Sequence, residues 1–188
     1  MILAAGSAER FGTPKQLALL NGRPLLQHVL DAAAQSRVGP IVLVLGASAD
    51  AMRAGVTLPP GTTVVVNDAF ATGQSSSLRV GLAALPADVR RAVILLADEP
   101  LVDPDAIRAV ATASGGPILR CSYAGRPGHP IALDRSIWDQ LGGEADEGAR
   151  ALIARSPELV TDVPVSGSPP RDVDTPADLE SLHASDEG

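Results

Sequence analysis

The amino-acid sequence predicts an α/β fold in which a mostly parallel sheet carries helices on both faces. Three observations predict it. Short runs of Val, Ile, Leu and Ala recur along the chain without internal alternation, the pattern of strands covered on both sides. Between most of them lie stretches with helical spacing and helix start signals. At 188 residues, 45% hydrophobic and 20% charged, the chain has the size and composition of one ordered domain that needs no disulfide or structural metal to fold.

Residues 2–5 read as the first strand. Asn21-Gly22 marks a turn, and a helix is expected from Pro24, with Leu25, Leu26, Val29 and Leu30 on one face. Residues 41–45 and 63–66 are the next strands. A helix over 75–85 places Leu78, Leu82 and Leu85 for burial, and residues 93–97 form the following strand. Asp103 is a natural N-cap and Pro104 a first helical residue, so a third helix starts there. Residues 118–121, 130–133 and 159–165 add further strands. No repeat or low-complexity linker divides the chain, so a single domain over 1–184 and a frayed tail over 185–188 are expected.

The net charge of −7 argues against a nucleic-acid surface, where affinity comes from Lys and Arg at phosphates. Only Phe11, Phe70, Tyr123 and Trp138 are aromatic, so stacking on bases as in many single-strand binders is not expected, and any base must be read by backbone and small side chains. If the substrate is anionic, the positive charge that captures it must be local. A single cysteine, Cys121, allows no internal disulfide, and no Cys/His cluster has zinc spacing, which suits the reducing cytoplasm. The first residues hold neither a basic region nor a long apolar run, so no signal peptide and no membrane span are expected.

In sheets of this kind, ligands bind beyond the carboxyl ends of the strands. The loop after the first strand holds Gly6, Arg10, Gly12 and Lys15. Gly6 lets main-chain N–H groups approach a ligand, and Arg10 with Lys15 makes the loop a candidate phosphate cradle. It lacks the Gly-Lys-Ser/Thr ending of a P-loop. A solvated loop with chance charges is the alternative on this segment alone.

The run Leu3-Ala4-Ala5-Gly6, then Arg10, Gly12 and Pro14-Lys15-Gln16-Leu17, resembles the signature loop of the MobA/MocA-like nucleotidyltransferase family, most of all its molybdenum cofactor cytidylyltransferase branch. The match continues through Asn67, Gly73 with Ser77-Leu78, Leu96-Ala97-Asp98-Glu99-Pro100, Gly128-His129-Pro130, Gly148-Ala149-Arg150 and Asp172-Val173-Asp174-Thr175-Pro176-Ala177-Asp178-Leu179. Each piece is short; their order and spacing are specific. The resemblance implies a Rossmann-like three-layer sandwich of the nucleotide-diphospho-sugar transferase type. It further implies that the protein binds a nucleoside triphosphate and Mg²⁺ and transfers a nucleoside monophosphate to an acceptor phosphate, releasing pyrophosphate.

On that resemblance, Arg10, Lys15 and Asp98 are the expected catalytic residues, and Leu3, Ala4, Ala5, Gly6, Arg10, Lys15, Asn67, Gly73 and Ser77 the nucleotide contacts. Asp98 follows an apolar run, so its carboxylate falls at a strand's carboxyl end, where Mg²⁺ can be held by few carboxylates plus phosphate oxygens. Asp174 is the expected second ligand because it precedes a Thr-Pro helix start, with Asp172 as its competitor; N-cap or turn aspartates are the plain alternative. Residues 73–77 offer a helix N-terminus to base or ribose, or form an ordinary Ser-capped helix start. Arg126, His129 and Arg150 are the expected acceptor contacts; a surface turn for His129, and a salt bridge from Arg150 to Asp146 or Glu147, compete with that. Phosphoryl transfer needs no protein nucleophile, so Ser77 and Cys121 are not catalytic, and Cys121 is expected in the core. Ala4 and Ala5 favour CTP, because the guanylyl branch usually carries Leu-Ala-Gly-Gly. The implied acceptor is a molybdopterin, with a molybdoenzyme or its chaperone as a further partner.

Three residues depart from the family's pattern: Ala8 replaces a common Ser, Glu99 a common uncharged residue, and Ala145 a usual Gly. Ala8 and Glu99 keep in play a carrier that binds nucleotide or cofactor without turnover. GTP with molybdopterin, or a sugar or polyol phosphate acceptor, is the alternative within the same fold. Redox chemistry on a planar heterocycle, which the resemblance also allows, ranks last because no Gly-x-Gly-x-x-Gly fingerprint is present.

Overall fold

Alternate residues of each central strand point to opposite sides of the sheet, and both sides are apolar here. Ile2, Ala4, Leu43, Leu45, Val93 and Leu95 pack into one core cluster; Leu3, Val42, Val44, Ala92 and Ile94 pack into another. Each set needs its own helical cover, and three layers result.

The structure is a computed structural model that describes residues 1–6, 14–141 and 148–185. Its strands are β1 (Ile2–Ala4), β2 (Leu19–Leu20), β3 (Arg23–Pro24), β4 (Val42–Leu45), β5 (Thr63–Val66), β6 (Arg91–Leu96), β7 (Ile118–Tyr123), β8 (Arg126–Asp134) and β9 (Val160–Val165). Its helices are α1 (Leu25–Ser36), α2 (Ala49–Gly55), α3 (Gln74–Ala83), α4 (Pro104–Thr112), α5 (Ala149–Arg155) and α6 (Pro176–Ser185). None of the described helices is long and apolar enough to cross a membrane.

The main sheet has the order β5-β4-β1-β6-β8-β7-β9. Only β8 runs against its neighbours β6 and β7; every other pairing is parallel. After β5 the chain crosses back to the other flank of β1, and this reversal opens a crevice beyond the carboxyl ends of β1 and β6. On one face, α1 and α4 contribute Leu26, Val29, Leu30, Ile107 and Val110; on the other, α3 and α5 contribute Leu78, Leu82 and Leu152. A third cluster of Leu20, Leu25, Val173 and Leu182 fastens α6 to the small β2–β3 hairpin.

Most expected elements stand where the sequence places them, α4 in detail: the Asp103 side chain accepts a hydrogen bond from the Asp105 N–H at 2.8 Å. The differences have local causes. Pro24 ends β3 rather than opening α1, because Asn21 and Gly22 turn the chain at φ 50° and 74° and pair Leu19 with Pro24. β5 is a half-exposed edge strand rather than one covered on both faces. α2, with Met52 alone buried, carries too little apolar pattern to announce itself. The strand expected at 130–133 begins earlier, at Arg126, as β8, which a two-residue turn at Ala124 and Gly125 (φ 50° and 82°) joins to β7. The β7–β8 register then shifts, Arg120 facing Ile131 but Cys121 facing Gly128, so His129 and Pro130 bulge from the ladder beside the crevice.

Candidate active site

Asp98 lies just beyond β6, where the crevice opens, and its neighbour across the crevice is the segment before α6. That segment is docked by a backbone hydrogen bond from Val173 N–H to the Asp98 carbonyl at 2.9 Å. Thr175 and Asp178 cap α6 reciprocally: Asp178 Oδ2 accepts from the Thr175 N–H at 2.7 Å and from the Asp174 N–H at 3.1 Å, while Thr175 Oγ1 accepts from the Asp178 N–H at 3.2 Å. Asp174 is thereby turned back toward the sheet.

The result is a three-residue junction. Lys15, in a single 3₁₀ turn, donates from Nζ to Asp98 Oδ2 at 2.8 Å and to Asp174 Oδ1 at 2.8 Å. Its side chain is 15% exposed against 25% for Asp98 and 58% for Asp174. Burial works against the lysine charge, but the hydrogen bonds and charges of Asp174 and Asp98 outweigh it and lift its pKa above 10.5. Asp174, not Asp172, shares this junction. Two carboxylates from distant segments therefore already converge on one cation. Among the described residues no cluster of three or more His, Cys, Asp or Glu has metal-holding geometry. A pair of hard oxygen donors fits Mg²⁺ or Mn²⁺ completed by phosphate oxygens, and does not fit a closed zinc site.

A cleft of about 580 Å³ extends from this junction, lined by Leu3, Ala5, Gly6, Gly73 and Ser77 among others. Gly73 opens α3 at φ 113°, a backbone conformation that side chains disfavour, and aims the helix N-terminus at the cleft. Two expected contacts are placed differently. Ala4 points into the opposite core, since neighbouring strand residues alternate. Asn67 is 2% exposed and stands behind the wall: its amide donates to Ser76 Oγ at 2.8 Å and Ser77 Oγ at 2.9 Å, and its oxygen accepts from the Ala69 N–H at 3.0 Å. It shapes the start of α3. Arg10 and Ala8 lie outside the described residues, as does Ala145.

Two residues the sequence reading did not single out also line the cleft. Phe70 stands on its wall, so an aromatic face is present after all. Gln16 is buried, reaches the Gly6 carbonyl from Nε2 at 3.4 Å, and its Oε1 has no partner among the described residues. Its place beside Lys15 in the motif was the available signal; a buried glutamine is not one that sequence pattern reveals.

A second cavity of about 450 Å³ adjoins the first and shares Leu3, Gln74 and Leu96 with it. His129 and Arg150 line it; Arg126 does not, because the tight turn holds it exposed at the hairpin end. α5 is seated here by the Gly148 N–H, which donates to Ser75 Oγ at 2.9 Å. Gly148 has φ 55°, a conformation that side chains disfavour, so the backbone calls for glycine there. Glu99, noted in the sequence only as a departure, is buried in the cavity wall, with His129 Nδ1 2.7 Å from its Oε1. Burial pushes the Glu99 carboxyl up to about 7, against the opposing pull of His129. Burial also disfavours a charged His129, but its hydrogen bond to Glu99 and the charges of Glu99, Asp172 and Asp98 win and raise it above 6.5. Cys121 is buried in the core, away from both cavities.

A family model described as the MobA-like NTP transferase domain matches residues 1–160. Nicotine blue oxidoreductase of Paenarthrobacter nicotinovorans is 32% identical over 187 residues, covering 93% of this chain and 91% of that protein. Rv0371c of Mycobacterium tuberculosis H37Rv superposes with a TM-score of 0.86 at 35% identity, over 97% of this chain and 95% of that one. Its complex with manganese does so at 0.83 and 33%, over 98% and 96%. A CMP:2-keto-3-deoxy-manno-octonic acid synthetase complexed with CTP shares the fold alone, with a TM-score of 0.75 at 17% identity over 99% and 96%.

Proposed function

The chain belongs to the MobA-like NTP transferase family, and from that premise we propose that it is a Mg²⁺-dependent cytidylyltransferase that transfers CMP from CTP to a molybdenum-bearing molybdopterin and releases pyrophosphate. The observation that supports this best is the Lys15 ammonium held at 2.8 Å by both Asp98 and Asp174, at the mouth of one cavity and beside a second. Asp98 and Asp174 would hold the divalent cation, which when bound neutralises charge at the α-phosphate. Lys15, with Arg10, then turns to the triphosphate and stabilises charge growing on the leaving pyrophosphate. The backbone of Leu3, Ala5 and Gly6 and the α3 start at Gly73 and Ser77 face base and ribose. His129 and Arg150 orient the acceptor so that its phosphate oxygen attacks the α-phosphorus in line. One P–O bond forms there as the bond to pyrophosphate breaks. Support for CTP comes from Ala4-Ala5 in the Leu-Ala-Ala-Gly run.

The direct test is pyrophosphate release with CTP, Mg²⁺ and molybdenum-bearing molybdopterin. Asp98→Asn is expected to lower the rate at least about 100-fold with an unchanged circular dichroism spectrum. Full turnover by that variant removes the metal assignment, and a preference for GTP removes the argument from Ala4 and Ala5. A second reading is favoured by the relative named nicotine blue oxidoreductase and by the Glu99–His129 pair, which stands ready to hold a proton. It is reduction of a planar heterocycle, with hydride from reduced nicotinamide and a proton from His129. Loss of nicotinamide absorbance without pyrophosphate selects it.

A further inference from the structure

The second cavity is built as a slot. Leu3 of β1 lies beside Leu96 of β6, and Ile94 of β6 beside Ile131 of β8, so four aliphatic side chains tile a continuous floor on one face of the sheet. Leu78 of α3 and Ile153 of α5 close over it. Such walls accept the faces of a flat ring, while Gln74, Arg120, His129, Arg150 and Asp172 supply polar groups elsewhere in the lining. Glu99 stands in the wall at 5% exposure, one oxygen fixed by His129 and the other, Oε2, buried with no donor among the described residues, while the Asp172 carboxylate adds negative charge beside it. A buried carboxylate oxygen without a donor is costly, and it is satisfied by a ligand that brings an N–H. A phosphate is repelled by the carboxylates of Glu99 and Asp172 and is drawn to Arg150, which also lines the cavity; Arg120, in the same lining, is paired with Asp162.

We propose that Glu99 is the specificity residue for the acceptor: Oε2 takes a hydrogen bond from the exocyclic amino group of a flat nitrogen heterocycle lying on the Leu3, Leu96, Ile94 and Ile131 floor. His129 positions the carboxylate through Oε1. This rests on the acceptor reading above and assigns what recognises the ring.

Two probes decide it, 2-amino-4-oxopteridine and 2,4-dioxopteridine, in which the amino group of one is an oxygen in the other. Fluorescence titration without nucleotide or metal is expected to show the amino compound binding wild-type protein about tenfold more tightly, and Glu99→Gln shrinking that preference to within about twofold. Equal binding of the two by wild type, binding of neither, or an unchanged preference in Glu99→Gln overturns the assignment. The wild-type comparison stands even if the variant does not fold. Pyrophosphate release is measured separately, so a failed ring preference with release from CTP intact refutes Glu99 alone, whereas absent release with the preference intact refutes nucleotidyl transfer alone.

Discussion

Lys15 is held by two aspartates that stand 83 and 159 positions away in sequence, and its charge is what lets them lie together. Replacing it with Met leaves two carboxylates facing each other. The charge-assisted bonds at stake are worth about 1.5–3 kcal/mol each at most, and the exposed Asp174 arm is screened to the lower end. Lys15→Met is therefore expected to lower the melting temperature of metal-free protein by several degrees, and Mn²⁺ to raise it more in the variant than in wild type, since the competing ammonium is gone. Thermal melts with and without Mn²⁺ check this; equal responses would sink it. At this scale Asp98 was legible from the sequence because a strand end is a local pattern. The burial of Glu99 and its pairing with His129, 30 positions on, were not, because a carboxylate after Asp98 looks the same whether solvated or enclosed.

Element starts carry their own signals, and these are plainest where a side chain caps the backbone. Asp103 before Pro104 and Thr175 before Pro176 are such cases, while the β2–β3 hairpin is too short to show a period. The first half of β8 carries no strand signal, because Pro127 and Gly128 read as loop; the register shift explains how a strand between two neighbours tolerates Pro130. Thr175→Ala is expected to cost about 1 kcal/mol and to weaken Mn²⁺ binding, because the same cap orients Asp174. Urea unfolding and metal titration measure the two effects, and a loss of stability with unchanged Mn²⁺ affinity would separate the cap from the site. Caps also set an acid limb. The Ser136 backbone N–H holds Asp134 below 3.8, and the Thr175 hydroxyl and N–H hold Asp178 below it. Folded values lowered in this way contribute stability above the unfolded value, and that stability is lost as pH falls through the folded ones. The double variant Asp134→Asn, Asp178→Asn should thus lose less stability than wild type between about pH 5 and 3. An equal or steeper loss in urea unfolding at the two pH values would refute it.

Across the whole molecule, one sheet runs unbroken from β5 to β9, with both faces of its central strands covered. We expect one cooperative unit. Trp138 is the only tryptophan, its Nε1 donating to the Leu133 carbonyl at 3.1 Å, so its fluorescence reports the β8 side of the sheet. Its urea transition should coincide with that of far-ultraviolet circular dichroism; separate midpoints would divide the chain into two units. The acidic balance also takes on a local meaning: in a chain of net charge −7, Lys15 is set where two carboxylates meet. By itself the sequence determined the α/β class, most strands and helices and the strand-end position of Asp98, since periodicity, capping and turn chemistry act over a few residues. Only the tertiary structure decided that Asp174 rather than Asp172 joins Asp98 at Lys15, that Ala4 and Asn67 stand behind the cleft, that Arg126 stays outside and Glu99 lies within. Those outcomes depend on strand order, on the reversal at β1 and on which face each residue turns to, and such contacts between distant segments leave no local pattern to read.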